Sequence, residues 1–192
     1  HRLALSELQL EAAAERNEQV IVPRKGVLEL QRLINDEGDV DLTIGAGHIR
    51  VQLDEIRFTS KLVDGRFPEY DRVVPQDIKS VITADRGLLR QALQRASILS
   101  NEKYRGVRLD LGENSLNIKA NNPEQEEAEE VLEVEYDGPS MEIGFNVNYL
   151  LDALGAVDED QVQLGLSDAN SSCLIKGPTT ENAKFVVMPM RL

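Results

Sequence analysis

The sequence predicts an α+β protein in which short helices lie on one face of antiparallel sheets, assembled from a repeated β-α-β-β-β unit. Three observations carry that expectation. Segments "VIVPRKGVL" from Val20, "VITADRGLL" from Val81 and "EIGFNVNYL" from Glu142 align without gaps at a spacing of 61 residues. In them Ile21, Ile82 and Ile143 match, as do Leu28, Leu89 and Leu150, while Gly26 and Gly87 match with Asn148 in third place. Each segment reads as a short β-type run, a polar helix start and an amphipathic stretch. Finally, each is followed by three runs of β-type alternation, separated by Gly, Asn and Asp turn signals. A fixed internal period organises the chain before any local reading does.

Taken in order, "RLALSELQL" has the shape of a unit's last strand and precedes the first full unit. The runs after the first helix are "DVDLTIGA", "HIRVQLD" and "IRFTSKL"; after the second, "GVRLDLGE", "SLNIKAN" and "EEVLEVEY". After the third come "QVQLGLSD", "SCLIKG" and "KFVVMPMRL". The count is one orphan strand and three units. One helix cannot cover a sheet's apolar face, so two units pair into a domain. Residues 79–192 are expected to form one complete domain, and residues 1–78 the latter part of a preceding one. "GRFPEYDRVVPQDIKS", with two prolines and mixed charge, is the expected connection.

The bulk composition sets limits on function. Apolar residues make up 41% of the 192 and charged ones 29%, ordinary for a soluble globular chain. No apolar run approaches the roughly 20 residues that cross a bilayer, and no leader pattern is present, so no membrane role is expected. Cys173 is the only cysteine. It cannot form an internal disulfide, which points to a reducing compartment and a cytoplasmic protein. Asn170-Ser171-Ser172 fits the glycosylation pattern, which in such a compartment is chance. His1 opens on an element already under way, so the sequence reads as a fragment. The apolar end, from Val186 to Leu192, is expected to dock rather than fray.

Net charge is -13, with 34 acids against 21 bases, yet bases gather on helices. At about 100° per residue, Leu88, Leu89, Ala92, Leu93, Ala96 and Leu99 share one face of the second helix. Arg86, Arg90, Gln91, Gln94, Arg95 and Ser97 occupy the other. The first helix carries Arg24, Lys25 and Arg32 against Glu29 and Asp36; the third, "NVNYLLDALGAVDED", is not basic. A charged face can simply be solvated. The sharper reading is a local positive surface toward phosphates, with the acidic remainder rejecting nonspecific nucleic acid. An aromatic share of 4% without Trp argues against base stacking, and no recognition-helix or zinc pattern supports sequence reading. Ile98 falls on the polar side of its helix: it is either covered by the following loop or an exposed apolar spot used in assembly.

No catalytic constellation emerges. His1 and His48 are the only histidines, and His48 sits in a strand-like run without metal-ligand spacing. There is no GxSxG, GxxxxGK[ST] or GxGxxG. Cys173 reads as a small buried residue. The run Glu124-Gln125-Glu126-Glu127-Ala128-Glu129-Glu130 could be imagined to bind a divalent ion, but adjacent acids diverge and no glycine-defined loop is present. A solvated acidic edge is the expectation, and no cofactor, metal or catalytic residue is assigned.

At residue level "HRLAL", "VIVPRKGVLEL", "FTSKLVDGRFPEY", "AxILSNEKYRGVRL", "NNPEQEEAEE", "MEIGFNVNY" and "VVMPMRL" resemble the bacterial DNA polymerase III beta clamp family, over essentially the whole chain. The stretch from Glu7 to Gln19 matches least well. The resemblance implies a DNA-clamp fold and a non-catalytic processivity factor. It implies a ring of two head-to-tail subunits of three domains, enclosing duplex DNA without reading its sequence. It also implies a pocket for polymerases and the clamp loader, which dock through Gln-x-x-Leu-Phe-type motifs. By that resemblance the pocket would involve His1, Arg2, Leu3, Pro68, Arg72, Val73, Asn146, Tyr149 and Ser172. The tail Val186, Val187, Met188, Pro189, Met190, Arg191 and Leu192 would complete it. Arg24, Lys25, Arg32, Arg86, Arg90 and Arg95 would face DNA. Ile98 and Leu99 would meet the neighbouring subunit, with Glu124, Glu127, Glu129 and Glu130 near the same edge. The complete protein would be a homodimer and this fragment a monomer. Two rivals remain at this stage: a stand-alone domain that binds linear motifs without DNA, and a carboxylate-dependent hydrolase using the acidic run.

Overall fold

In a computed structural model, residues 1–11, 17–34 and 38–192 are described. Asp36 and part of the Glu7–Gln19 stretch lie outside them. The elements are β1 (Arg2–Ser6), α1 (Arg24–Leu33), β2 (Asp41–Ile44), β3 (His48–Leu53), β4 (Ile56–Lys61), a 3-10 turn (Tyr70–Arg72), β5 (Ser80–Asp85) and α2 (Arg86–Ile98). There follow β6 (Gly106–Gly112), β7 (Ser115–Asn121), β8 (Glu127–Glu133), β9 (Met141–Asn146), α3 (Val147–Ala156), β10 (Gln161–Leu166), β11 (Cys173–Lys176) and β12 (Ala183–Val187). Apart from the leading strand of the first unit the order is the expected one, and β9-α3 repeats β5-α2 at the predicted spacing.

The chain forms two compact units: His1–Gln9 with Tyr70–Leu192, and Leu10–Glu69. The larger has two antiparallel sheets, ordered β1-β12-β11-β10-β5 and β8-β7-β6-β9. The leading strands are exchanged. β5 opens the second unit of the repeat but pairs with β10 of the third, and β9 opens the third but pairs with β6 of the second. Thr83 and Glu135 stitch the two sheets together through reciprocal backbone bonds of 3.0 and 2.9 Å. Strand alternation sends Leu109, Leu111, Ile143 and Phe145 to one face, where they pack with Leu89, Leu93, Leu150 and Leu154 of the two helices. On the opposite face of the four-stranded sheet, Arg108 pairs with Glu142 at 3.2 Å and Lys119 with Asp110 at 2.8 Å.

The helix starts are built by side chains. Asp85 accepts from the Leu88 N–H at 2.7 Å and Asn146 from the Asn148 N–H at 3.0 Å, each satisfying an otherwise orphaned donor. The expected face of α2 needs correction. Leu88 is 56% exposed and Leu99 only half-buried, whereas Ser97, assigned to the polar side, is buried. The Ser97 hydroxyl donates to the Gln94 carbonyl at 2.7 Å, so burying it leaves no unpaired donor.

In the smaller unit β2-β3-β4 form an antiparallel sheet. The predicted leading strand Val20–Val22 is not one. It makes a single bond to that region, from the Val63 N–H to the Ile21 carbonyl at 2.9 Å.

Candidate functional site

One groove of the larger unit is built where β1, β12 and α3 meet. β1 runs antiparallel to β12, with Arg2 opposite Val187, Leu3 opposite Val186 and Ala4 opposite Phe185. On α3, Tyr149, Asp152, Ala153 and Ala156 share a face at helical spacing. Together they line a cavity of about 350 Å³. The alanines leave the room; Leu3, Phe185, Val186 and Val187 make the floor apolar. At the rim the Arg2 guanidinium lies 4.5 Å from the Tyr149 ring centroid and is ion-paired with Asp152. The volume is at the lower end of the range for ligand sites. It suits apolar side chains of a peptide, with Arg2, Tyr149 and Asp152 offering polar partners at the edge.

Of the sixteen residues assigned to a partner pocket, Arg2, Leu3, Tyr149, Val186 and Val187 line this cavity. Others are tied to neighbouring backbone. The His1 carbonyl accepts from the Met188 N–H at 2.9 Å, and the Gly144 carbonyl from the Met190 N–H at 2.9 Å, so the tail is held beyond the end of β12. Met188 is 44% exposed. Pro189 and Met190 are half-buried, and Arg191 and Leu192 exposed. The Asn146 side chain is committed to structure: besides capping α3 it donates to the Tyr104 carbonyl at 3.0 Å. Ser172 is half-buried just before β11, while Arg72 and Val73 lie exposed at the 3-10 turn. Pro68 belongs to the smaller unit. Sequence reasoning missed Ala4, Asp152, Ala153, Ala156 and Phe185. The signal for Asp152 was available, since it stands three residues after Tyr149 on a predicted helix.

Among the described residues the helical bases divide into exposed and engaged. Arg24 and Lys25 are exposed at the start of α1, and Arg90 is exposed on α2. None of the three helices has an acid in its first turn, but the Asp85 carboxylate caps α2, so only α1 and α3 present a positive helix end with no acidic cap. Arg32 pairs with Glu29 at 3.3 Å. Arg86 donates through Nε to the Glu159 carbonyl at 2.7 Å and through Nη1 to the Leu154 carbonyl at 3.4 Å, near the end of α3. Arg95 makes a two-pronged pair with Glu130, at 2.7 and 2.8 Å.

That last pair has a pH signature. The hydrogen bond from Arg95 holds the Glu130 carboxyl below the usual carboxylate range, and Glu130 raises Arg95. A carboxyl depressed on folding contributes stability that is present above its unfolded value of about 4.3 and is lost as pH falls through the folded value. In an NMR titration, the Glu130 midpoint is expected to rise on Arg95→Ala, and the Arg95→Ala stability deficit to vanish in acid. An unmoved midpoint would refute the coupling.

Ile98 is 75% exposed and Leu99 half-buried. Of the two readings of Ile98, the structure selects the exposed apolar spot over loop coverage. Ile98 edges a shallow depression with Lys103, Pro123, Glu124 and Glu126. Glu127 and Glu129 are exposed on β8, and Glu129 accepts from the Asn117 side-chain amide. Within the acidic run, Glu126 closes a turn with Asn122, accepting from its side-chain amide at 2.6 Å and donating its own backbone N–H at 2.9 Å. Among the described residues no three His, Cys, Asp or Glu side chains are grouped to hold a metal, and no helix is long and apolar enough to cross a membrane. Burial pushes the Cys173 thiol up to about 12, which keeps it un-ionised and unreactive at neutral pH.

Comparison with known proteins bears on this geometry. Residues 71–191 match the family model of the DNA polymerase III beta subunit, C-terminal domain, and residues 1–69 that of its central domain. The chain is 55% identical over 193 residues to the beta sliding clamp of Pseudomonas putida and 52% identical over 194 to that of Escherichia coli. All of this chain is covered in both, against 53% and 52% of those proteins, so it spans about half the length of these relatives. The crystal structure of the DNA polymerase III subunit beta from Pseudomonas aeruginosa superimposes with a TM-score of 0.97 at 53% identity, covering 100% of this chain and 53% of that one. A sliding clamp from the same organism, bound to griselimycin, superimposes equally well, with 100% and 52% covered.

Proposed function

Because the chain belongs to the DNA polymerase III beta subunit family, whose members compared above are sliding clamps, we propose that it is part of a clamp that encircles duplex DNA as a head-to-tail dimeric ring. The clamp tethers polymerases and the clamp loader through the groove between β1, β12 and α3, which takes motifs of the Gln-x-x-Leu-Phe type. It works in the cytoplasm and performs no chemistry of its own. Residues 1–78 are the latter part of a second domain and residues 79–192 a third. This piece alone is a monomer.

The groove is the observation that carries the reading. An apolar floor with a polar rim matches a ligand with Leu and Phe anchors and a polar residue ahead of them, and a flexible Met beside it adapts to varied anchors. The helical bases are consistent with weak backbone contact. Arg24, Lys25, Arg32, Arg86, Arg90 and Arg95 would border the DNA, but Arg32, Arg86 and Arg95 already serve intramolecular bonds. Retention then comes from enclosure rather than from ion pairs. Ile98 and Leu99, flanked by Glu124, Glu127, Glu129 and Glu130, form the subunit contact.

A labelled Gln-Leu-Ser-Leu-Phe peptide titrated by fluorescence polarisation tests the groove. Saturable binding is expected, weakened by about 2 kcal/mol, or some thirtyfold, in Met188→Asp. Equal binding by both proteins would remove the tail from the site. No binding by the full-length protein would sink the groove assignment.

A further inference from the structure

Beyond the end of β12 the tail leaves its own sheet and comes down on the other one, where two glycines receive it. In the β6–β9 ladder Gly106 stands opposite Asn146 and Arg108 opposite Gly144, so the two glycines are diagonal neighbours. Both point away from the core, since Val107 on one strand and Ile143 and Phe145 on the other are buried within it. Neither has a positive φ, so backbone conformation does not call for glycine at either position. The space above them does. A Cβ at Gly144 would stand 2.5 Å from the Met190 carbonyl oxygen and 2.9 Å from Cγ and Cδ1 of Leu192. A Cβ at Gly106 would collide with the end of the Leu192 side chain. Around this notch the face is charged, with Arg108, Glu142, Lys119 and Asp110 in ion pairs.

Glycine inside a strand weakens it and often marks a place where another backbone comes close. We propose that Gly106 and Gly144 are positioning residues for the peptide groove: the notch left by two missing side chains seats Met190 and Leu192, and this fixes Met188 at the groove's edge. The inference rests on the reading of the tail as part of the partner site. The two positions are not equivalent. At Gly144 an added methyl meets a backbone carbonyl that cannot turn away, and at Gly106 it meets the rotatable tip of one side chain. Gly144→Ala therefore disturbs the tail more than Gly106→Ala.

Hydrogen exchange at the Met190 amide, which donates to Gly144, tests the seat in the full-length protein. Exchange is expected to accelerate at least tenfold in Gly144→Ala and less in Gly106→Ala, with the Leu109 amide of β6 unchanged. Unaltered Met190 exchange in Gly144→Ala overturns the proposal. If that variant loses Leu109 protection as well, and so has unfolded, Leu192→Ala decides, because it trims only an exposed side chain; unaltered Met190 exchange there is equally fatal. The same variants are titrated with the Gln-Leu-Ser-Leu-Phe peptide, and affinity is expected to fall in the order of tail exchange. A loosened tail with undiminished affinity overturns the link between seat and groove. A failure of the groove reading looks different, because then the unmutated protein binds no peptide.

Discussion

Ile98→Asp in the full-length protein is expected to turn a dimeric ring into monomers. The side chain is 75% exposed at the end of α2, so a carboxylate there is solvated in the free subunit and leaves the core intact. In a closed interface the same carboxylate would be desolvated in a depression where the acids Glu102, Glu124 and Glu126 outnumber the cation Lys103. Loss of a central apolar anchor costs about 2 kcal/mol or more. A head-to-tail ring of two subunits contains the contact twice, so the dimer is weakened by about 4 kcal/mol, roughly a thousandfold. Sedimentation velocity over a dilution series down from micromolar concentration reads this shift directly. A dimer as tight as that of the unmutated protein would mean that Ile98 lies outside the interface. Leu99 is a poorer probe, because it is half-buried and its loss would also disturb the helix end.

Phe145→Ala should have a comparable effect on the fold itself. Phe145 has no exposed surface and stands opposite Val107 at the centre of the larger unit. Truncating a fully buried Phe typically costs about 3–5 kcal/mol, through lost burial and the cavity left behind. Domains of this size hold only about 5–15 kcal/mol in total. The urea midpoint is therefore expected to fall by a large fraction, with little change in the slope of the transition. An unchanged midpoint would show that neighbouring side chains close the cavity. The position bears on the proposed tail seat too, because β9 carries Gly144 on one side of Phe145 and Asn146 on the other.

Much of this fold was legible because the period of 61 residues supplied its own check: each stretch could be read against two others. That is how β6–β8 and β10–β12 were placed in order. Pairing was not legible, because alternation says which face is apolar but not which strand lies alongside. The exchange of β5 and β9 between units, and the unpaired run Val20–Val22, both follow from that gap. On α2 the helical wheel favours the most apolar residues. The true buried arc runs through Leu89, Ala92, Leu93 and Ala96 and then takes in Ser97, whose hydroxyl is satisfied locally, leaving Leu88 outside. In the groove, Arg2, Tyr149 and the tail came from family resemblance. Asp152 and the alanines of α3 did not, because small residues and a lone acid are unremarkable until the strand that faces them is known. Gly106 and Gly144 were invisible for a similar reason. A glycine in a strand announces that something comes close without saying what.

The pairing of β1 with β12 bears on how the molecule assembles. Every other ladder in the larger unit joins strands of one hairpin or strands of adjacent repeat units. Arg2↔Val187, by contrast, joins opposite regions of the sequence. Bringing distant segments together is entropically costly, and contacts of long sequence separation slow folding. The β1–β12 ladder is thus expected to close late, after the core around Phe145 has condensed. Arg2 and Leu3 reach the groove only through that ladder, so binding competence should lag behind the burial of the core as a separate, slower kinetic phase.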